Sequence, residues 1–152
     1  MLSLLKDLFA GALGTEGAAA DAVRQRHLAA AALLTEVARA DAHRDETEEG
    51  AMQEALSRAF GLSADDISTL LRDAQAEVAA SASDYAFTRL INEGFTAEEK
   101  SALLTEMWRV AFADGNVHKY EEHYIRRITA LLHVPHSEFI RTKHLAAASA
   151  GN

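Results

Sequence analysis

The 152-residue chain contains no cysteine. Disulfides, thiolate zinc sites and thiol catalysis are therefore excluded. It has a single proline, Pro135, and few β-branched residues, while Ala, Leu, Glu and Arg dominate. That balance disfavours a sheet and favours helices. Basic residues are in deficit: 15 Lys and Arg face 23 Asp and Glu, for a net charge of −8. Nucleic-acid binding needs cationic groups that displace counterions, so it is not expected. No long hydrophobic run occurs. The longest, Leu28 to Leu34, is short and Ala-rich, too short to span a bilayer. The chain also lacks a serine elbow, a phosphate loop, Rossmann glycines and a His-Glu-x-x-His pair. No small-molecule substrate is suggested.

What is present is helical periodicity. The segment Met1–Phe9 is amphipathic, with Leu2, Leu5, Leu8 and Phe9 as its apolar set. Lys6 and Asp7 interrupt it and no basic region precedes it, so a signal peptide is not expected. It is expected to dock on the domain, the alternative being a membrane surface. Gly11–Gly17 reads as a linker, so residues 1–17 form an N-terminal helix and linker. The domain proper is expected over 18–147, in two parts, 18–80 and 84–147, followed by a tail at 148–152. A long helix is expected from Ala18 to Ala40, with Val23, Leu28, Leu34 and Val37 packed. Others follow over Glu46–Phe60, from Ser63 to Ala80, and over Asp84–Asn92 with Tyr85 and Phe87 as anchors. Ser63 reads as an N-cap with Asp65 and Asp66 behind it. Thr96-Ala-Glu-Glu99 is a capping box opening a helix to Ala113. Tyr124, Ile125, Ile128, Leu131 and Leu132 line a helix over Lys119–His133, and Pro135 opens the last one, to Ala147.

The two halves repeat. At an offset of about 73 residues Ala40-Asp41 aligns with Ala113-Asp114, and Asp45 with His118. Glu48 and Glu49 fall on Glu121 and Glu122, Met52 on Ile125, Ala55 on Ile128 and Ala59 on Leu132. After one deletion, Leu62–Ile67 lies over Val134–Phe139. Each half is a helix ending in Ala-Asp, a polar turn, a helix opening with acids, and a capped third helix. The first copy has Ala42 in place of Gly115 and Arg44 in place of Val117. The expected architecture is an all-α bundle of about seven to eight helices with two pseudo-symmetric halves.

The acidic turns invite a metal. An EF-hand loop takes ligands at positions 1, 3, 5, 7, 9 and 12, with Gly at 6. With Glu121 at position 12, Gly115 fits position 6, but positions 1 and 3 become Val110 and Phe112. In the first copy they become Val37 and Arg39. Neither turn is an EF-hand. A site shared between the halves would instead draw on Asp41, Asp45, Glu48, Asp114, His118 and Glu121. Carboxylates with one imidazole suit Ca²⁺, Mg²⁺, Mn²⁺ or Zn²⁺, and ligand type alone does not choose. The competing reading is structural: Asp at a helix end and Glu in a first turn are ordinary caps. His123, His133, His136 and His144 are not expected as ligands, and His133 and His136, which bracket Pro135, read as caps or solvent-facing residues. Trp108, Tyr120 and Tyr124 read as core or groove residues, the alternative being a partner surface beside the acidic turn.

Helix, Ala113-Asp-Gly-Asn-Val, then Glu121, then helix, with an earlier degenerate copy at Ala40-Asp41, resembles the TerB-like family of tellurite-resistance-associated proteins. The resemblance covers about Val23 to Thr142. It implies an all-helical fold of two pseudo-symmetric halves and acidic residues that hold divalent cations. Carried over by position, Asp114 and Glu121 match the family's motif, with Asp41 and Glu48 as the equivalent pair. It also implies a non-enzymatic, stress-associated binding or scaffold component. Such a component would be cytoplasmic or peripheral at the inner membrane, with a protein partner in a membrane-associated complex. A pure interaction scaffold without metal is the second reading, and a metal-dependent hydrolase the third.

Overall fold

The computed structural model of the chain describes residues 15–40, 46–81 and 83–150, without the side chains of 15, 16, 46–48 and 150. The expected N-terminal helix over Met1–Phe9 lies outside the described residues. These residues form seven α-helices and no strand. They are α1 Thr15–Ala40, α2 Glu46–Phe60, α3 Ala64–Ala80, α4 Tyr85–Gly94, α5 Ala97–Ala111, α6 Lys119–Leu131 and α7 His136–Ala150.

The chain packs around α1. Its run Ala29–Leu34 is wholly buried, because methyl-sized side chains let other helices approach closely. Helices α2, α3, α4, α5 and α6 all touch it. Thr35 follows this run and is buried too, and its hydroxyl donates to the Ala31 carbonyl at 2.8 Å, so that hydroxyl is not orphaned. Helix α5 is the second axis: Leu103, Leu104, Met107, Trp108 and Val110 are buried, and α7 lies along it.

The caps follow the sequence. Ser63 Oγ accepts the Asp66 N–H at 3.2 Å. Thr96 and Glu99 exchange both bonds of a capping box, at 3.1 and 2.9 Å. Helix α6 ends in a Schellman motif, with Val134 N–H on the Thr129 carbonyl and His133 N–H on that of Ala130. The left-handed position, usually glycine, is His133, at φ 58°.

The helix boundaries keep the register of the repeat. Helix α6 begins 73 residues after α2, Lys119 against Glu46, and α7 begins 72 after α3, His136 against Ala64. Met52 and Ile125 are fully buried, as are Ala55 and Ile128. The equivalence stops at Ala59, which is exposed while Leu132 is buried.

Several expectations need correcting. Helix α1 starts at Thr15, inside the expected linker; Gly17 is tolerated there among strong helix formers. Asp84 precedes α4 as its N-cap, α5 stops at Ala111 rather than Ala113, and α7 runs on to Ala150. Val23, Leu131, Tyr85 and Tyr120 are exposed rather than packed. Tyr85 and Tyr120 lie in first turns, Leu131 is the last residue of its helix, and Val23 lies in the exposed first third of α1.

Candidate functional site

The second acidic turn links α5 to α6. Phe112 N–H still bonds to the Trp108 carbonyl at 2.8 Å, and Gly115 N–H turns back to that of Phe112 at 2.8 Å. Gly115 has φ +96°, a backbone shape that side chains rarely adopt. That is the physical reason for glycine in Asp-Gly. Asp114 then serves both of its oxygens. Oδ1 accepts the Asn116 N–H at 3.1 Å, and Oδ2 lies 2.9 Å from Nε2 of His118. His118 N–H donates to Oε1 of Glu121 at 3.1 Å. His118 thus stands between the two acids, its ring on one and its backbone on the other. Glu121 is 0 % exposed, although its place in a first turn reads as a surface cap. Nothing local in the sequence separates a buried first-turn glutamate from an exposed one.

Asp41 and Asp45 lie outside the described residues, as does the side chain of Glu48. Their flanks can be placed. A cavity of about 700 Å³ is lined by Gly50, Ala51 and Glu54 from the first turns of α2 and by Phe112 and Ala113 from the second joint. The opening of the second repeat helix and the entry to the second joint therefore share one space.

As donors, two carboxylates and one imidazole fit a divalent cation by type. By arrangement the second joint is incomplete alone. Among the described residues, no three His, Cys, Asp or Glu side chains form a group that could hold a metal ion.

Two polar networks were not legible from spacing. On the cavity's rim, Arg58 grips Glu106 with Nη2 at 2.9 Å from Oε2 and Nε at 3.2 Å from Oε1. Arg109 pairs with the same carboxylate, whose side chain is 7 % exposed. The Glu106 bond raises the Arg58 pKa. Near the far end of α6, Asp84 accepts from Arg127 at 2.8 Å and from the Tyr124 hydroxyl at 3.2 Å. Glu36 shares a cavity of about 380 Å³ with Asp84 and Arg127. Its pKa is raised, first by burial and then by the Asp84 charge. Burial, then Asp84, likewise holds the Tyr124 phenol far above its ordinary range. Both networks join residues more than forty positions apart, |i−j| of 48 and 43, so no short window carries a signal.

The other expected residues distribute simply. His123, His133, His136 and His144 are exposed, and His136 stacks on Phe139 at 5.5 Å. Trp108 is fully buried, edge-on to Phe139 at 5.1 Å. Lys143 Nζ sits 5.3 Å from its ring and bonds Glu122 at 3.2 Å. The only tryptophan is therefore linked through one lysine to the acidic first turn of α6. No described helix is long and apolar enough to cross a membrane.

Comparison with curated proteins and with solved structures gives no match. A family model described as "Tellurite resistance protein TerB" matches residues 27–144. That span runs through both joints and all seven described helices, from the middle of α1 to the middle of α7. With an all-helical fold and a repeat in matching register, the chain belongs to the TerB family.

Proposed function

We propose that this chain is a non-enzymatic binding module of the tellurite and stress response. It would hold a divalent cation, and through it a protein partner, at the paired acidic joints. The observation that carries the reading is Glu121, a carboxylate with no exposed surface at the joint where the repeat is best kept. Burying a carboxylate is costly, and such groups persist where positive charge or donors offset the desolvation. The α6 N-terminus and the His118 N–H contribute here. A cation shared with Asp114, His118, Asp41, Asp45 and Glu48 would contribute more. When bound, the ion would supply charge that draws the two joints together, leaving catalysis no role.

One observation favours the metal-free scaffold instead. Both oxygens of Asp114 and one of Glu121 are engaged in the turn itself, as plain caps would be. Calorimetry with Ca²⁺, Mg²⁺, Mn²⁺ and Zn²⁺ separates the two, with Trp108 fluorescence as a second readout. A ligand specific to the native state, present at a hundred times its Kd, should stabilise by about 2.7 kcal/mol. Asp114→Asn with Glu121→Gln should abolish that gain. No heat and no rise in Tm with any of the four ions would leave the scaffold reading standing.

A further inference from the structure

The cavity of about 380 Å³ that Glu36 shares with Asp84 and Arg127 includes no residue of either acidic joint. Four helices build it. Helix α1 gives Glu36, α3 gives Val78, α4 gives Tyr85 and Phe87, and α6 gives Arg127 and Leu131. Its charge is uneven, because two carboxylates and one guanidinium line it. Asp84 holds the N-cap position of α4, yet its side chain makes no cap bond. It is turned instead to Arg127 and to the Tyr124 hydroxyl, at 2.8 and 3.2 Å. Glu36 is held less firmly. Arg39 reaches only its Oε1, at 3.3 Å, and the other oxygen accepts no hydrogen bond among the described residues. Burial, then the Asp84 charge, raises the Glu36 pKa. The rest of the lining is largely apolar. Val78 and Phe87 are buried, while Tyr85 and Leu131 are 67 % and 39 % exposed, so the mouth of the cavity carries two large apolar side chains.

We propose that this cavity receives an arginine side chain of a partner protein, with Glu36 and Asp84 on its guanidinium. The chemistry of the lining selects that occupant. A guanidinium is a planar fork of donors that matches carboxylates, and it is more weakly hydrated than an ammonium. Its methylene stem suits the apolar side chains of Val78 and Phe87. A free small cation would leave Tyr85 and Leu131 in water, whereas the residues flanking an arginine in a polypeptide cover them. The chain's charge of −8 also favours approach of a basic partner. Arg127 is the resident cation on Asp84. Its side chain is 61 % exposed, so it can swing out as the partner's arginine enters. Arg127 is therefore a competitor of the ligand, and Glu36 is its main anchor. The site requires no metal at the joints.

The full-length chain is titrated with the peptide acetyl-Ala-Leu-Arg-Leu-Ala-amide and followed by NMR amide shifts. The amides of Glu36, Ser83, Tyr85 and Leu131 should move along one saturable curve. The same peptide with citrulline for arginine keeps the shape without the charge, and should not saturate. Glu36→Gln should weaken binding by about fivefold, the scale of one partly exposed ion pair. Arg127→Ala should strengthen it by a similar factor, because the competitor on Asp84 is gone. Those opposite signs separate a binding site from a structural ion-pair network, whose loss would tighten nothing. Absence of saturable shifts at the four amides would overturn the proposal, as would equal affinity for the arginine and citrulline peptides. Weaker binding in Arg127→Ala would overturn it as well. Shifts confined to Asp114–Glu121 would place the peptide on the acidic joint instead, with the same consequence.

Discussion

At the scale of single residues, the features legible beforehand are those with local causes. Ser63 and the Thr96–Glu99 pair cap their helices as expected, because a cap is decided by residues three apart. The burial of Glu121 was not legible, since the same residue type serves an exposed first turn equally well. His133 reads as a cap or a solvent-facing residue, and the structure gives it φ 58°. A side chain in that region costs about 1–2 kcal/mol per residue. His133→Gly should therefore stabilise the protein by about 1 kcal/mol, less the extra entropy of a glycine in the unfolded chain. Urea denaturation with an unchanged m-value would register the gain, and a loss would mean that the imidazole makes a compensating contact. His27 makes a second, pH-dependent case. Its ring stacks on Phe60 at 3.9 Å, and burial, then Arg26, lowers its pKa from 6.5. The folded state prefers the neutral ring, so the unfolded chain binds the extra proton. Stability is then fully present above 6.5 and is lost as pH falls toward the folded value. His27→Phe keeps a ring on Phe60 and removes the titration. Between about pH 7.5 and 5.5 the variant's Tm should fall less than that of the parent. Parallel curves would place the acid sensitivity elsewhere.

At the scale of elements, periodicity located the helices to within a few residues and the repeat predicted their register. It failed at the ends of helices. Tyr85 and Tyr120 belong to the first turns of α4 and α6, and Leu131 closes α6; all keep helical spacing yet face solvent. Periodicity states which residues share a face, not how far along the helix a neighbour covers it. It is also silent on pairings between helices, such as that of Arg58 on α2 with Glu106 on α5, whose carboxylate Arg109 shares. Glu106 is nearly buried on α5, while Arg58 on α2 is 45 % exposed. The arginines are thus less constrained than the acid they hold. Arg58→Ala alone leaves Arg109 in place and, at a half-exposed site, should cost about 1 kcal/mol or less. Removing both arginines strands a buried carboxylate, for which about 3–5 kcal/mol is expected. The double variant should therefore lose far more than the two singles together. Additive losses in a double-mutant cycle would show that solvent reaches Glu106 and that the α2–α5 clamp is ornamental.

At the scale of the whole molecule, the sequence announced a charge of −8 and a repeat, but not whether the two are connected. Two mechanisms could couple cations to stability. Diffuse screening shortens the range of repulsion between carboxylates, with a Debye length of about 10 Å at 0.1 M salt, and any salt supplies it. Site binding at the joints needs a particular ion and saturates at its Kd. The two differ in what they ignore: screening is blind to which acids are present, whereas a site depends on Asp114 and Glu121. NaCl should raise Tm modestly in the parent and in an Asp114→Asn, Glu121→Gln variant alike. At matched ionic strength, the divalent ion the joints accept should add a further rise in the parent alone. The variant also tests the repeat, because the first copy's acids remain in it. If its response to the divalent ion stays intact, the first joint binds by itself and the second is only a capped turn. If the response vanishes, Asp41, Asp45 and Glu48 cannot hold the ion without their counterparts, as two halves of one site require.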